Sequence, residues 1–352
     1  MLSVISIDES NKWNEIVRSF GNYDVYYLYE YTKAFKIHGD GEPILFYYEG
    51  KDTRAMNVVM RRDVGSDKNF LEKIPKGIYF DLITPYGYGG VLIEGDKSVN
   101  NIKLLNSEYS DYCKNNGIIS EFVRFHPLLE NYKNLDEIYD VSTLGKTVSI
   151  ALESTEQIWN DLISKNRNMI RKAIKSGVEI YCGLNSEIFD EFIRLYNATM
   201  DKDNAKDYYY FKKDFYDSIL RDLKDNALIF YAVFEKKIIS MSIILFANQH
   251  VHYHLSASER EYLHLAPTNL LLYEVACWGC ENGFKTFHLG GGLGSNEDSL
   301  YKFKKAFNRN SDNTFAIGRK IFDYEKYNNL IEIRKRDYNF KDNKLFFPIY
   351  RG

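Results

Sequence analysis

Long apolar runs and a strong net charge are both missing from this sequence. Its 352 residues contain no run of ~18 apolar residues, so we predict no transmembrane helix. The first residues, MLSVISIDESNKWNE, lack a charged start followed by a long apolar core. We therefore expect no signal peptide and a cytoplasmic protein. A net charge of -3 gives no overall attraction to nucleic acid, although a local basic patch could still bind one.

Cysteine is scarce as well. The chain has 4 cysteines, and Cys277 and Cys280 form its single Cys-x-x-Cys pair. A redox or zinc site could use this spacing, but no second pair accompanies it. The pair also falls within an apolar helical stripe, where free cysteine packs as a small hydrophobe. We expect packed thiols and no metal there.

Three histidines alternate along one predicted strand, at His250, His252 and His254. Residues two apart on a strand share a face, so zinc binding is a hypothesis to consider. Such neighbours lie about 7 Å apart, so all three rarely reach one ion. We predict no metal site, and we keep His254 as a candidate substrate-binding residue.

The composition is that of an ordinary globular protein that can build an aromatic core. Hydrophobic residues make up 45% and charged residues 27%, with 29 tyrosines and 23 phenylalanines. At about 150 residues per domain, the length suggests two domains. Both halves predict helices, an antiparallel hairpin, a further strand, then a helix and a strand, a weak duplication at a spacing of roughly 150 residues. The predicted fold class is therefore α/β (α+β) with two tandem domains.

Apolar periodicity and turn residues set the predicted elements. In the first half we predict helices at 13–20, 29–35 and 102–115, and strands at 42–49, 53–61, 78–83, 118–124 and 147–151. In the second half we predict helices at 155–176, 186–200, 212–223 and 270–280, and strands at 178–181, 227–234, 237–247, 249–256 and 286–289. Thr268 is the expected cap of one late helix, and residues 295–298 are the expected capping box of the last one.

The stretch 254–307 is the part of the chain around which the rest is organised. Its consecutive glycines, Gly290, Gly291 and Gly292, let the backbone turn with positive φ or approach a ligand closely. In the helix that follows, Lys304 falls on the same face as Phe303 and Phe307. A lysine there either extends its amine to solvent or points into a site. The adjacent glycine turn favours a site.

Two further patterns have both a structural and a functional interpretation. Arg167, Arg171 and Lys175 lie four apart on the predicted helix 155–176. They form either a solvated face or a binding site for phosphate. The loop 84–90 contains three glycines with Tyr86 and Tyr88, as a tight turn with stacked rings or as a loop that lines a ligand.

At this point the chain resembles the Fem-type peptidoglycan interpeptide-bridge transferases, whose motifs are shared with a broader set of GNAT-like acyltransferases. The resemblance covers most of the chain. The residues that carry it are Asp81-x-x-Thr84-Pro85-Tyr86-Gly87-Tyr88-Gly89-Gly90, Lys165-x-Arg167-x-x-Ile170-x-Lys172-Ala173-x-x-x-Gly177-Val178, Ala266-Pro267-x-x-Leu270-Leu271-x-x-Glu274-x-x-x-Trp278, His288-Leu289-Gly290-Gly291 and Leu300-x-x-Phe303-Lys304-x-x-Phe307.

The resemblance implies an architecture and a reaction. It implies two GNAT-like domains with a cleft between them, at residues 1–150 and 151–321, and a segment 322–352 that returns to the first domain. It also implies transfer of an amino acid from aminoacyl-tRNA to a peptide amine of a nucleotide-linked or lipid-linked cell-wall precursor. Peripheral proximity to the membrane would follow from a lipid-linked acceptor. No tightly bound cofactor is expected.

The resemblance also assigns residues. Phe303 and Lys304 match the reaction centre of the family, and Lys36 matches a first-domain lysine that binds the precursor. An Arg-x-x-x-Tyr pair of the family falls on Lys206 and Tyr210, where lysine departs from the pattern and weakens bidentate phosphate binding. The full set of candidate substrate-binding residues is Lys36, Tyr86, Tyr88, Arg167, Arg171, Lys206, Tyr210, His254, Gly290 and Gly291.

Other donors and functions stay open from the sequence. No Ser-His-Asp or Cys-His pattern is evident, so we expect no covalent acyl-enzyme. Residues 260–266 lack the glycine-rich turn that usually holds the pyrophosphate of acetyl-CoA. The main alternative is nevertheless an acyl-CoA-dependent N-acyltransferase that acts on an amino sugar in surface polysaccharide synthesis. A non-catalytic relative that binds carbohydrate or peptide is the second alternative.

Overall fold

The chain folds into two compact units. The computed structural model describes residues 1–338, 340–341, 343 and 346–352. The first unit consists of Met1–Leu144 with Phe315–Gly352, and the second of Gly145–Thr314. The domain boundaries expected from the sequence lie after residues 150 and 321, several residues later than the divisions between the compact units. None of the helices in the described part of the chain has the length and hydropathy needed to cross a membrane.

The first unit contains most of the elements that precede residue 140. In chain order they are β1 (Leu2–Ser6), α1 (Ser10–Ser19), α2 (Tyr29–His38), β2 (Glu42–Glu49), β3 (Thr53–Asp63), β4 (Phe80–Ile83), β5 (Leu92–Gly95), α3 (Val99–Asn115) and β6 (Ile118–Arg124). A short 3₁₀ turn at Val25–Tyr27 precedes α2.

The second unit follows, and the chain then returns to the first. Its elements are β7 (Asp140–Ala151), α4 (Thr155–Asp161), α5 (Ser164–Lys175), β8 (Glu179–Gly183), α6 (Ser186–Lys202), α7 (Lys213–Asp222), β9 (Ala227–Phe234), β10 (Lys237–Ala247), β11 (His250–Ser258), α8 (Pro267–Glu281), β12 (Thr286–Gly290) and α9 (Ser299–Lys305). The last elements are β13 (Asn313–Ile321) and α10 (Tyr324–Arg334), with a 3₁₀ turn at Ile349–Arg351.

The two units repeat one strand arrangement. In the first, the order is β1-β2-β3-β4-β6-β13, and β4 and β6 are the parallel pair. In the second, the order is β8-β9-β10-β11-β12-β7, and β11 and β12 are the parallel pair. Each parallel pair is joined through a helix, α3 or α8, because parallel neighbours need a long crossover connection. The remaining neighbours on each path are antiparallel hairpins or returning strands.

Helix α8 lies at the centre of the second unit. It packs against α5 on one side and against the strands β9 and β10 on another. Leu271 and Val275 are fully buried in the core cluster of this unit, together with Ile170 and Ala173 of α5. The hydrophobic core of the second unit is therefore built around α8, the helix that connects β11 to β12.

The prediction of a single helix over residues 155–176 is wrong, because two extended residues separate α4 from α5. Leu162 and Ile163 adopt extended backbone angles. The carbonyl of Leu162 accepts a hydrogen bond of 2.6 Å from Arg167 Nη1, and the amide of Ile163 donates to the carbonyl of Ala306. These two bonds replace the ones that a continuous helix would make. Ile174 of α5 is 55% exposed, although its side chain is apolar.

Both predicted helix caps are also corrected. Helix α8 begins after Ala266, which has a left-handed conformation and offers no side-chain cap. Thr268 instead hydrogen-bonds Ser240 and Ser258 on neighbouring strands. Helix α9 is capped by Asp298, whose carboxylate accepts from the amide of Tyr301 at 2.9 Å. The cap therefore lies three residues later than a box that starts at Ser295.

Candidate functional site

The strands β11 and β12 separate beyond a short parallel pairing. The pairing runs from His250 to His252 opposite Thr286 to His288, and β11 then continues to Ser258 with β10 as its neighbour. A bulge next to Gly290, whose φ is 78°, turns the end of β12 towards the glycine segment. After this pairing β12 ends at Gly290, whereas β11 extends to Ser258.

Lys304 of α9 occupies the region next to this glycine segment. Its side chain is buried, with 8% of the residue exposed, and Nζ donates a 2.7 Å hydrogen bond to the carbonyl of Gly291. The same nitrogen lies 5.9 Å from the ring centroid of Tyr253 on β11. Burial lowers the pKa of Lys304 to about 8, and the charge of Asp298 partly opposes that shift. The amine therefore does not extend to solvent, and the interpretation as a site residue is favoured.

The glycine segment is shaped by close backbone contacts. A side chain on Gly291 would come within 2.9 Å of the carbonyl of Lys146, and one on Gly292 within 2.1 Å of the carbonyl of Asn296. Asp298 also accepts from the amide of Leu293 at 3.1 Å, so one carboxylate fixes both the turn and the start of α9. The segment holds the Gly291 carbonyl against the Lys304 amine.

Hydroxyl groups line β10 and β11 beside Tyr253. The phenol of Tyr253 is hydrogen-bonded to Ser242 and Ser256, and burial raises its pKa. Ser242 and Ser256 are bonded to each other at 3.2 Å. A second cluster, of Ser240, Ser258 and Thr268, has hydroxyl separations between 2.8 and 3.2 Å. Neither cluster is among the residues predicted from the sequence, although serines two apart on adjacent predicted strands give a usable signal.

His254 lies in a bulge of β11. Ile243 pairs with Leu255 and Ile244 with Tyr253, so His254 is an extra residue in the strand. The bulge interrupts the regular alternation on which a common face for the three histidines depended. Burial, reinforced by neighbouring His252, lowers the pKa of His254 to about 3, so this imidazole is neutral at physiological pH.

Comparison with known proteins agrees with this geometry. Residues 164–305 match the family model described as an acetyltransferase (GNAT) domain. These residues form a GNAT domain. The match begins at the first residue of α5 and ends at the last residue of α9, so it contains Lys304 and both diverging strands.

The chain also resembles one curated relative over about half of its length. The UDP-N-acetylmuramoylpentapeptide-lysine N(6)-alanyltransferase of Weissella viridescens is 26% identical over 176 residues, which is 48% of this chain and 50% of the relative. The chain thus matches about half the length of this relative. The resemblance drawn from the sequence motifs is confirmed by this match together with the GNAT domain.

Solved structures extend the likeness to nearly the whole chain. A structure titled FemX has a TM-score of 0.66 at 16% identity, covering 93% of this chain and 99% of its own. The C-terminal domain of a putative lysylphosphatidylglycerol synthetase from Agrobacterium fabrum has a TM-score of 0.56 at 12% identity, covering 91% and 93%. A tandem GNAT protein from the clavulanic acid pathway has a TM-score of 0.51 at 7% identity, covering 92% and 99%. The predicted tandem GNAT-like fold is confirmed, while the expected cleft stays a prediction.

Within the GNAT domain, the candidate residues do not form one cluster. Lys304 meets Gly291 directly, with Gly290 next along the chain, while Phe303 packs edge-on against Phe307 at 5.5 Å. Lys206 is exposed before the 3₁₀ turn at Asp207–Tyr209. The phenol of Tyr210 donates to Asp201 at 2.8 Å. Their roles stay predictions.

Arg167 and Arg171 have separate local environments. Arg167 Nη1 donates to the carbonyl of Leu162 at 2.6 Å and lies 3.4 Å from the carbonyl of Trp159, so it satisfies the C-terminal end of α4. The guanidinium of Arg171 lies 5.0 Å from the ring centroid of Trp159 and is exposed on its other side. The even stripe expected from the sequence therefore contains one arginine with a structural bond and one that faces solvent.

The first unit contains the remaining candidates. Lys36 is exposed and pairs with Glu42 at 2.8 Å. The ring of Tyr86 stacks on Phe35 at 5.3 Å, one residue before Lys36 in the chain. The ring of Tyr88 contacts the rings of Tyr26, His126 and Phe315 edge-on, with centroids 5.7 to 5.9 Å apart.

The loop between β4 and β5 that holds these tyrosines is tightly built. Arg124 donates to the carbonyls of Thr84, Pro85 and Gly87 at 2.7 to 2.9 Å. Gly87 has a φ of 90°, and a side chain there would collide with Tyr26 at 2.5 Å. The interpretation as a tight turn with stacked rings fits these contacts, and the ligand-lining role of Tyr86 and Tyr88 stays a prediction.

Proposed function

We propose that the chain is a Fem-type aminoacyltransferase, which transfers an amino acid from aminoacyl-tRNA to an amine of a cell-wall precursor peptide. The observation that carries the proposal is the buried Lys304 ammonium, fixed by the Gly291 carbonyl beside the diverging strands of a GNAT domain. The relative from Weissella viridescens, named for alanyl transfer to a lysine amine, supports this reaction class.

The proposed reaction needs a positive charge beside the carbonyl oxygen of the donor ester, and we assign this role to Lys304. The acceptor amine attacks the ester carbonyl of the donor, a C–N bond forms, and the carbonyl oxygen becomes negative. The carbonyl then re-forms, the ester C–O bond breaks, and the proton lost by the amine is transferred to the departing ribose oxygen, which leaves as a hydroxyl. An ammonium has three N–H groups, of which the Gly291 carbonyl accepts one. The other two are proposed to stabilise the oxyanion.

A direct transfer, without a covalent enzyme intermediate, fits the nucleophiles of this domain. Burial raises the pKa of Cys277 to about 11, so its thiol is protonated at neutral pH. Cys280 packs against the hydrophobic core of the same unit. The proposal needs no tightly bound cofactor, because the donor itself is an activated ester.

The proposal assigns the other candidates to the two substrates. Arg171, Lys206, Tyr210, His254, Gly290 and Phe303 contribute to the donor side, whereas Lys36, Tyr86 and Tyr88 contribute to the precursor side. The precursor is nucleotide-linked or lipid-linked, and the reaction takes place in the cytoplasm, where aminoacyl-tRNA is available. GNAT-like domains at about residues 1–150 and 151–321, with 322–352 returning to the first and a cleft between them, are part of the proposal.

A second candidate function, transfer from an acyl-CoA to an amino sugar, is favoured by one observation. The first turn of α8 has no side-chain cap, and Ala266 precedes it with φ 56°. Uncapped amides at a helix start attract phosphate groups. Residues 260–265 form a 3₁₀ helix at this point, rather than a glycine-rich loop.

Labelled donors distinguish the two functions. Radiolabelled alanyl-tRNA and acetyl-CoA would each be offered with UDP-linked muramoyl pentapeptide, and separately with free amino sugars. We expect label from alanyl-tRNA in the pentapeptide, and none from acetyl-CoA in either acceptor. Acetyl transfer at an ordinary turnover, with no alanyl transfer, would contradict the proposal and support the second candidate.

A further inference from the structure

Helix α5 has an exposed face on which every charge is positive. Its sequence, SKNRNMIRKAIK, contains five cationic residues and no acidic ones. Arg167 is occupied at the end of α4, but Lys165, Arg171, Lys172 and Lys175 are all exposed. We call these four residues the cationic face.

The cationic face is a geometric unit. At 100° per residue, its four side chains fall within an arc of about 120° around the helix axis. The opposite side of α5, with Asn166, Ile170 and Ala173, is buried against the core of the second unit. From Lys165 to Lys175 the face extends about 15 Å along the helix. It is therefore a narrow row of cations on a well-anchored support.

The charges of this face have no ion-pair partner among the residues that the structure describes: no carboxylate oxygen there lies within 4.0 Å of the four cationic groups. Some exposed basic residues of the same unit do have partners, such as Lys213 with Asp190 at 2.9 Å and Arg194 with Glu191 at 2.7 Å. Arg171 is fixed by the Trp159 ring, which leaves its outer side open. An uncompensated row of this kind attracts a polyanion.

We propose that the cationic face binds the phosphate backbone of an RNA helix, namely the stem next to the acyl-bearing end of the donor. Each strand of a duplex has one phosphate per about 3.4 Å of axis, so a 15 Å row matches on the order of four phosphates of one strand. Flexible lysines suit such contacts, which position a backbone without reading its bases. The inference rests on the proposed function, since it locates the partner that delivers the acyl group.

A membrane surface fits the same face less well. Helices that lie on membranes combine cations with a broad apolar side that enters the lipid. The apolar side of α5 is already buried in the protein, and Ile174 is its large exposed hydrophobic residue, at 55% exposure. An acidic lipid surface would therefore contact only the charges of this face, without an apolar side to enter the lipid. An RNA backbone needs only the charges.

The test measures RNA binding without any acyl transfer. The probe is an uncharged RNA hairpin with a tRNA-like acceptor stem and a single-stranded CCA end, titrated with the full chain. The variant combines Lys165→Gln, Lys172→Gln and Lys175→Gln, which removes three charges but keeps helix propensity. We expect affinity to fall by about ten- to a hundredfold at physiological salt. The slope of log affinity against log salt should also become shallower by about 2 to 3.

A matched control removes three charges elsewhere. Lys76, Lys224 and Lys285 are exposed and lie outside α5, so changing all three to glutamine keeps the same net charge as the test variant. We expect this control to bind RNA within about twofold of the original chain, because its lysines make no row. Circular dichroism and thermal melting would establish that both triple variants are folded.

The outcomes separate this inference from the proposed function. Equal loss in the control and the test variant, or no loss in either, would overturn the cationic face as the RNA surface. Loss of binding to phosphatidylglycerol vesicles with unchanged RNA binding would assign the face to a membrane instead. If acetyl-CoA proves to be the donor while the RNA result stands, the proposed function fails and the RNA surface does not.

Discussion

Lys320 in the first unit and Lys304 in the second are both largely buried, and burial lowers the pKa of each to about 8. Their surroundings differ. Lys320 lies on β13 directly opposite Glu121 of β6 in the antiparallel register. Its amine is 5.3 to 5.7 Å from the ring centroids of Tyr109, Tyr139 and Phe322, and it donates to Asn106.

The carboxylate opposite Lys320 is fully integrated into the core of the first unit. Glu121 accepts from Asn57 at 2.7 Å and from the phenols of Tyr109 and Tyr139 at 3.0 Å. Burial raises its pKa, while these hydrogen bonds and the charge of Lys320 oppose the rise. The buried carboxylate of Glu121 thus acts on the charge of Lys320, and three aromatic rings surround the amine.

Lys304 lacks this compensation. Its contacts are one carbonyl, at Gly291, and one ring, at Tyr253. The carboxylate of Asp298 also acts on the charge of Lys304, but it accepts hydrogen bonds from the backbone amides of Leu293 and Tyr301. Burial of a lysine by itself therefore does not mark a reactive site. The two lysines differ in the carboxylate that acts on them: Asp298 is only partly buried and is bonded to backbone amides, whereas Glu121 is fully buried beside Lys320. We therefore expect the Lys304 charge to be the one that can interact with charge developing on a substrate.

The largest effect is expected from Lys304→Met. Loss of one oxyanion donor should lower kcat by roughly 10²–10³-fold. The free energy of unfolding should change by less than about 1.5 kcal/mol, because methionine keeps the stem and the volume. Lys304→Arg should recover little activity, since a guanidinium does not reproduce the compact ammonium. Turnover with the active donor and a denaturant titration measure the two quantities.

The control for this change is Lys302→Met. Lys302 is exposed on the same helix, whereas Lys305 donates a hydrogen bond to the carbonyl of Ser311 and is less suitable. A wild-type turnover in Lys304→Met would show that Lys304 is a packed core residue. The comparison with Lys320 would then lose its functional meaning.

Lys320→Met should lower stability and leave activity unchanged, the reverse of what we expect for Lys304→Met. Methionine leaves Glu121 buried without its cation, so we expect destabilisation by about 2–3 kcal/mol, below the full cost of an unpaired buried charge because Lys320 is not fully enclosed. Activity per folded molecule should stay near wild type. Adding Glu121→Gln should recover part of the stability. A melting curve of Lys320→Met that matches wild type would show that the pair is not a stabilising unit.

The pH dependence of stability follows from the same pKa values. The folded pKa of Lys304, about 8, lies below the roughly 10.4 of an unperturbed lysine, so between these values the unfolded chain binds more protons. The free energy of unfolding therefore rises with pH through this window as the Lys304 amine loses its proton. Below pH 8, the cost of burying the charged amine is fully present. Lys304→Met should remove that rise. Denaturant midpoints of both proteins across the window measure it, and parallel curves would contradict the buried ammonium.

The smallest effect is expected at Tyr253. Tyr253→Phe keeps the ring near Lys304 and removes only the hydroxyl bonded to Ser242 and Ser256, so activity should fall less than about tenfold. Tyr253→Leu removes the ring as well, and a lost cation–π contact of about 1–2 kcal/mol should lower kcat further. Steady-state kinetics of the two variants measure the difference. Equal kcat values would indicate that the ring does not act on Lys304.

Local patterns in the sequence were sufficient for many elements of both sheets. The strands β2, β6, β9 and β10 lie at their predicted residues, because alternation and the turns that bound a hairpin are encoded within a few neighbouring positions. The glycine segment and Lys304 were also recognisable, since three consecutive glycines before a lysine on an apolar helix face form a short-range signal. The motifs of the resemblance pointed to the fold for the same reason.

Tertiary contacts decided what the sequence left open. The break before α5 depends on Arg167 and on the carbonyl of Ala306, which is more than a hundred residues away in the chain. The pairing of Lys320 with Glu121 depends on a strand register between segments separated by the whole second unit. Whether Lys304 extends to water or is buried depends on where the Gly291 carbonyl lies after folding. Periodicity shows which face of an element is apolar, but the partner of a buried charge is fixed only when distant backbone segments come together.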